Sequence, residues 1–295
     1  MSKYILSCCS TADLFEENFK KRDIQYVCYH FTLNGKVYAD DLGKSISNEE
    51  FYQTLANGGE ATTSQVNYDE FVEYFTPFLE QGYDILHICM SSGITGVFNS
   101  ANIAKNDLLE KYPDRKIILV DSRTVASGFG MFMETLADLR DKGMSIDEVA
   151  YYAENNKLNV HHWFFSTDLS FFVKGGRISK AAGWFGTVLN LCPLLNVSNE
   201  GKLVPRFKLR GKKAAMQKMV EKMAEHAENG TNYDGKCYIS HSYCKDDAQA
   251  VVDLIEEKFP NLRGKVEMYN IGTTIGSHTG PGTVALFFYG DERID

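Results

Sequence analysis

Short apolar stretches alternate with helix-length amphipathic stretches through the first half of this chain, and that alternation limits its fold more than any other feature. Residues 4–9, 84–90 and 116–120 read as buried strands, and a polar, hydroxyl-bearing loop and then a helical pattern follow each of them, over 14–21, 97–111 and the residues beyond Thr124. Strands spaced by helices of this length predict a parallel sheet with crossovers, whose loops gather at the carboxyl ends of the strands. Between the first two strands, residues 25–33 read as one strand ending at the turn signal Asn34-Gly35. Thr11 or Asp13 is expected to cap the first helix, and Ser47 with Glu50 to open another as a capping box. Residues 61–65 read as a loop and 69–80 as an amphipathic helix.

The second half has a different rhythm. Strands are expected over 159–166, 193–197, 202–208, 236–240, 265–271 and 283–289, with helices over 178–191, 211–228 and 246–259, and Asn199-Glu200-Gly201 as a hairpin turn. A chain of 295 residues is long enough for two cores. The expected fold class is therefore α/β, with an N-terminal parallel-sheet α/β domain over 1–160 and a C-terminal α+β domain over 161–295.

Charge and cysteine content narrow the function classes. A formal net charge of −8 argues against a nucleic-acid footprint, which rests on clustered Lys and Arg. Against that background Lys202, Arg206, Lys208, Arg210, Lys212 and Lys213 form a local basic run, either a solvated face or a docking surface for an acidic partner. Seven cysteines without CxxC spacing fit reduced thiols, and no stretch has the apolar length of a secretion signal or of a membrane span. A cytoplasmic location with no transmembrane segment is the expectation.

The chemistry-bearing residues lie mostly in loops. Ser10-Thr11, Ser91-Ser92-Gly93-Ile94-Thr95 and Ser122 with Thr124 each follow a strand and precede a helix, and Thr62-Thr63-Ser64-Gln65 adds more hydroxyls. Helix N-termini offer unpaired N–H groups and partial positive charge, so these loops read either as ordinary N-caps or as an anion-binding edge. Gly43-Lys44-Ser45 lacks the upstream glycine of a phosphate loop, and Gly128 and Gly130 lack the third glycine of a dinucleotide motif, so no nucleotide cofactor is expected. An acyl hydrolase or transferase with Ser92 as nucleophile and His278 as base is the enzymatic alternative, but the nucleophile-elbow spacing is missing. His161 and His162 are neighbours on a strand and point to opposite faces, so no metal site is expected. The apolar residues 181–195 read as a core helix or as the wall of a narrow slot.

Taken together, Ser10-Thr11-Ala12-Asp13-Leu14, Thr63-Ser64-Gln65, Ser91-Ser92-Gly93-Ile94-Thr95-Gly96, Asn99-Ser100-Ala101, Lys174-Gly175-Gly176-Arg177-Ile178, Arg210-Gly211-Lys212-Lys213-Ala214 and Gly276-Ser277-His278-Thr279-Gly280-Pro281-Gly282 resemble, in order, the DegV family. Members of that family bind fatty acids, and its FakB branch presents them to a fatty acid kinase. The resemblance implies a long-chain fatty acid between the two domains. It also implies a carboxylate held by Thr63 and Thr95 with Ser92 and His278 close by, the last on a GSHTGPG loop, and Arg177 in a structural or head-group-proximal place. It implies a carrier with no catalytic residues, a kinase partner for which Arg206 and Lys208 would offer a surface, and transient membrane contact. The chain departs from the family pattern at Cys9, Val66 and Cys192; the two cysteines stand where charge near the cleft would be expected, which bears on exchange with a kinase.

Overall fold

A computed structural model describes residues 4–179 and 191–294. Strands β1 (Tyr4–Cys9), β2 (Ile24–Val27), β6 (Asp84–Cys89) and β7 (Ile117–Asp121) form a wholly parallel sheet in the order β2-β1-β6-β7. Every residue of β6 is buried, the continuous burial expected of a parallel strand covered on both faces. Helices α1 (Glu16–Lys21), α3 (Tyr68–Glu80), α4 (Val97–Lys111), α5 (Ala126–Asp141) and α6 (Ile146–Asn156) supply the crossovers and cover.

Residues 25–33 are not one strand. The chain leaves the parallel sheet after Val27 and re-enters β structure as β3 (His30–Leu33), which pairs antiparallel with β4 (Lys36–Ala39) across the Asn34-Gly35 turn. Both turn residues have positive φ, as a two-residue hairpin of this type requires. On its other side β3 pairs with β5 (Ala61–Ser64), so the expected loop at 61–65 is mostly strand. Ser47 caps α2 (Asn48–Ala56) through its side chain, accepting from Glu50 N. Neither Thr11 nor Asp13 caps α1, whose N-cap is Phe15; Asp13 is buried in a left-handed turn instead.

The second half builds a six-stranded mixed sheet in the order β10-β9-β8-β13-β11-β12, from β8 (Val160–Ser166), β9 (Leu191–Val197), β10 (Leu203–Arg210), β11 (Cys237–His241), β12 (Glu267–Asn270) and β13 (Thr283–Tyr289). Short helix α7 (Ser170–Lys174) follows β8; α8 (Gly211–His226), α9 (Lys245–Lys258) and α10 (Thr273–Thr279) complete this half. The α/β class with one parallel and one mixed sheet thus holds. The helix expected over 178–191, with most of the apolar stretch 181–195, lies outside the described residues; Leu191 already belongs to β9, which contains the strand expected over 193–197.

Helix α5 explains how the two sheets come together. It is buried on nearly all sides, packing against the turn at Ser10–Ala12 on one side and against β8, β11 and β13 on the other. Its glycines permit this approach: a Cβ on Gly128 would lie 2.5 Å from the Phe287 ring, and one on Gly130 would lie 2.5 Å from the Ala12 carbonyl oxygen. Gly128 and Gly130 are therefore packing residues. Apolar contact consequently runs unbroken from Leu6 and Ile88 in the parallel sheet, through Phe129, to Phe164 and Phe287 in the mixed one.

Candidate functional site

Alternation along the strands of the mixed sheet sorts side chains onto two faces. On β13, Val284, Leu286 and Phe288 enter a second core under α8 and α9, while Thr283, Ala285 and Phe287 face α5. His162 and Phe164 of β8 share this second face. Together with Met90, Ile94, Val125, Phe172, Val197, Leu203, Ile271 and Ile275 they line a cavity of about 390 Å³.

One wall of that cavity is polar. The period of β5 turns Thr63 inward and Thr62 outward, and Thr63 Oγ1 lies 2.8 Å from His278 Nε2. His278 lies on α10, one helical turn from Thr274, and both line the cavity. Its segment is therefore a helix, where the sequence suggested a loop. Thr95 Oγ1 donates to Gln65 Oε1 at 2.9 Å and is 3.4 Å from the Tyr29 hydroxyl; Gln65 Nε2 in turn donates to Ser100 Oγ. Arg177 also lines the cavity. Its Nη1 donates to the Gly175 carbonyl at 2.6 Å, and its buried Nε has no partner among the described residues.

The electrostatics of this wall are simple. Burial, reinforced by the Arg177 cation, pushes the His278 imidazole down to about 4, so the ring is neutral at pH 7. Arg177 is then the single charged side chain among the described lining residues, which include no carboxylate. The KGGR segment is also explained, since a Cβ on Gly175 would lie 2.3 Å from His278 Nδ1. Only glycine there lets Arg177 and His278 share the wall.

The structure thus brings Thr63, Thr95, His278 and Arg177 together. It does not bring Ser92 to them. Ser92 is exposed and outside the lining, while its neighbour Ser91 is buried and donates to the Gly201 carbonyl at 2.8 Å, fixing the loop to the β9–β10 hairpin. The Ser92–His278 pair of the hydrolase alternative is absent, because His278 Nε2 faces Thr63 and Nδ1 faces Gly175. Most of the expected hydroxyl edge is structural too: Ser10 donates to Asp40, and Thr124 donates to Ser122.

A family model described as "uncharacterised protein, DegV family" matches residues 9–291. A DegV domain-containing protein of Clostridium perfringens is 35% identical over 293 residues, covering 99% of each chain. The chain belongs to the DegV family. Among solved structures, a DegV family protein from Thermus thermophilus, described for its fatty acid binding, matches with a TM-score of 0.85 at 26% identity, over 98% of this chain and 100% of that one. A DegV family protein from Eubacterium eligens, loaded with heptadecanoic acid, shares the fold with a TM-score of 0.84 at 20% identity, over 98% and 100%.

Within this DegV fold the departures from the family pattern stand outside the cavity lining. Cys9 is buried beside His87 Nε2, Cys192 is buried near the Ser166 carbonyl, Val66 is fully buried, and none of the three lines the cavity. Both cysteines are core residues, Cys9 directly behind the lining residues Met90 and Tyr29. Arg206 and Lys208 lie on β10, an edge strand whose Leu203 reaches the cavity; Arg206 Nε donates to Asn196, and Lys208 is exposed. Tyr29 and Gln65 were not assigned from sequence. The Thr63-Ser64-Gln65 match carried a signal for Gln65; nothing local distinguished Tyr29.

Proposed function

We propose that this DegV protein binds one long-chain fatty acid, with its tail in the apolar cavity and its carboxylate against Thr63, Thr95, His278 and Arg177. The observation that carries the reading is the composition of the lining among the described residues: apolar side chains, a cluster of hydroxyls and amide, one cation and no carboxylate. Such a site suits a monoanion on a hydrocarbon. Each buried methylene contributes about 0.8 kcal/mol, so a long tail supplies on the order of 10 kcal/mol before ordering costs. The polar wall then sets direction, and a hydrogen bond from a cation contributes about 1.5–3 kcal/mol. The solved DegV relatives described as fatty acid binding support the choice of ligand.

The reading extends to a carrier without chemistry of its own, which presents the carboxylate to a separate fatty acid kinase. Support for this part is the absence of a nucleotide motif in the sequence and the basic residues Arg206 and Lys208 on the strand that borders the cavity. In the same reading, residues 1–160 and 161–295 are the two domains between which the lipid lies.

Thr95→Val and Thr63→Val test the carboxylate grip. Each keeps side-chain volume and removes a hydroxyl, so each is expected to weaken fatty acid binding by about 1 kcal/mol, roughly fivefold, in a fluorescent fatty acid displacement titration. Thermal midpoints should stay near wild type. Wild-type affinity in both variants contradicts the assignment.

A further inference from the structure

Three ligand-type side chains converge on the far face of the mixed sheet, remote in sequence from one another. His161 comes from β8, His226 is the last residue of α8, and Asp291 follows β13. His161 Nε2 is 3.0 Å from Asp291 Oδ1, and His226 Nδ1 is 3.2 Å and 3.3 Å from the two Asp291 carboxylate oxygens. One ligand atom from each residue fits within a common span of 4.8 Å, the single such grouping of three His, Cys, Asp or Glu among the described residues.

The arrangement is held from outside. Asp291 N donates to the His226 carbonyl, Gly290 N donates to the Asn159 carbonyl, and Asn159 Nδ2 donates to the Gly290 carbonyl. A Cβ on Gly290 would lie 2.1 Å from the His226 carbonyl oxygen, so only glycine lets this strand end approach α8. His161 is buried between Phe288 and His226, ring centroids 5.0 Å away on each side. Its Nε2 is also 2.9 Å from the Asp291 carbonyl oxygen. Beside the three residues a groove of about 710 Å³ carries Asp138, Glu225 and Glu228 with Lys236.

We propose that His161, His226 and Asp291 form a binding site for one divalent transition metal of the zinc class, open on the groove side to water or to an oxygen ligand. Zinc holds imidazole nitrogen at about 2.0–2.1 Å and carboxylate oxygen at about 2.0–2.2 Å, which sets donor atoms roughly 3.3–3.5 Å apart in a tetrahedron. The observed separations to Asp291 need to open by only a few tenths of an ångström. Two imidazoles and one carboxylate suit zinc, cobalt or nickel, whereas magnesium and calcium take oxygen ligands. The metal takes the place of the hydrogen that the same atoms share as a hydrogen-bonded cluster, so each imidazole must present a lone pair there, its hydrogen on the other ring nitrogen. The nearby Arg293 guanidinium, held by the Val197, Ser198 and Arg123 carbonyls, opposes a cation, and the Asp291 carboxylate offsets that charge. Bound metal would join α8, β8 and the end of β13.

Chelator-treated protein titrated with cobalt(II), with zinc(II) as competitor, tests the site. Wild type is expected to bind one equivalent with visible d–d bands and without sulfur charge-transfer absorption, and zinc is expected to displace it and raise the thermal midpoint. Asp291→Asn alters an exposed side chain and should keep the metal-free midpoint within a few degrees, His226→Ala removes a partly buried ring, and both should weaken cobalt binding at least tenfold. No stoichiometric binding by wild type, or equal binding by wild type and both variants, overturns the proposal.

Discussion

Ala285→Trp is expected to yield a folded protein that carries no fatty acid. Ala285 is buried on β13, opposite Phe164 of β8, and its side chain faces the cavity. An indole there points into the space assigned to the tail and leaves the alternate face of β13, with Val284 and Leu286, undisturbed. Excluding about five methylenes removes about 4 kcal/mol of tail burial, a loss near a thousandfold in affinity. Fatty acid displacement and the lipid content of purified protein both read this, with circular dichroism as the folding control. Lipid of wild-type amount and chain length in Ala285→Trp would place the tail elsewhere.

The second large effect is on stability in acid, and it lives in the parallel sheet. His87 is wholly buried on β6, with Nδ1 2.8 Å from Ser7 Oγ and the rings of Phe71 and Phe75 edge-on to it. Burial pushes its imidazole down to about 3, from an ordinary value of 6.5. Since the folded value is the depressed one, the unfolded chain binds the proton first as pH falls below about 6.5. Stability from this residue is complete above that pH and falls by about 1.4 kcal/mol per pH unit down to the folded value. By pH 4.5 the loss is roughly 3 kcal/mol. His87→Phe removes the titration among aromatic neighbours, and Ser7 keeps its contact with the Tyr74 hydroxyl. Urea unfolding at pH 7.5 and 4.5 should show wild type losing about 3 kcal/mol more than His87→Phe. Equal losses would mean that His87 is protonated in the folded protein. The buried Asp13 and Asp40 carboxyls, both pushed up by burial, act in the opposite sense but equally in the two proteins.

Much of the fold was legible because periodicity and burial agree along most elements. Residues 84–90 and 283–289 read as strands, and β6 and β13 are there; the hairpin at Asn199-Glu200-Gly201 joins β9 and β10. Where the reading failed, the missing information was a tertiary partner. Residues 25–33 look like one strand, since nothing in local composition marks Cys28-Tyr29 as the place where the chain changes sheets. Residues 61–65 look like a polar loop until β3 lies beside them. The serine pair at 91–92 shows the same limit at the site: spacing cannot say which of two adjacent hydroxyls turns inward, and the hairpin carbonyl of Gly201 decides for Ser91. Thr63, Thr95 and His278 were recognisable through ordered motifs, but Arg177 gained a definite position only when Gly175 was seen against the His278 ring. In the proposed reading the carboxylate therefore meets a cation as well as hydroxyls.

The most direct test of lipid carriage is solvent extraction of the purified protein, followed by mass spectrometry of the extract and reloading of the stripped protein. The account predicts close to one long-chain fatty acid per chain, removable by extraction and restored on incubation with a free fatty acid. Protein that emerges without fatty acid and takes none up, while correctly folded, would contradict it.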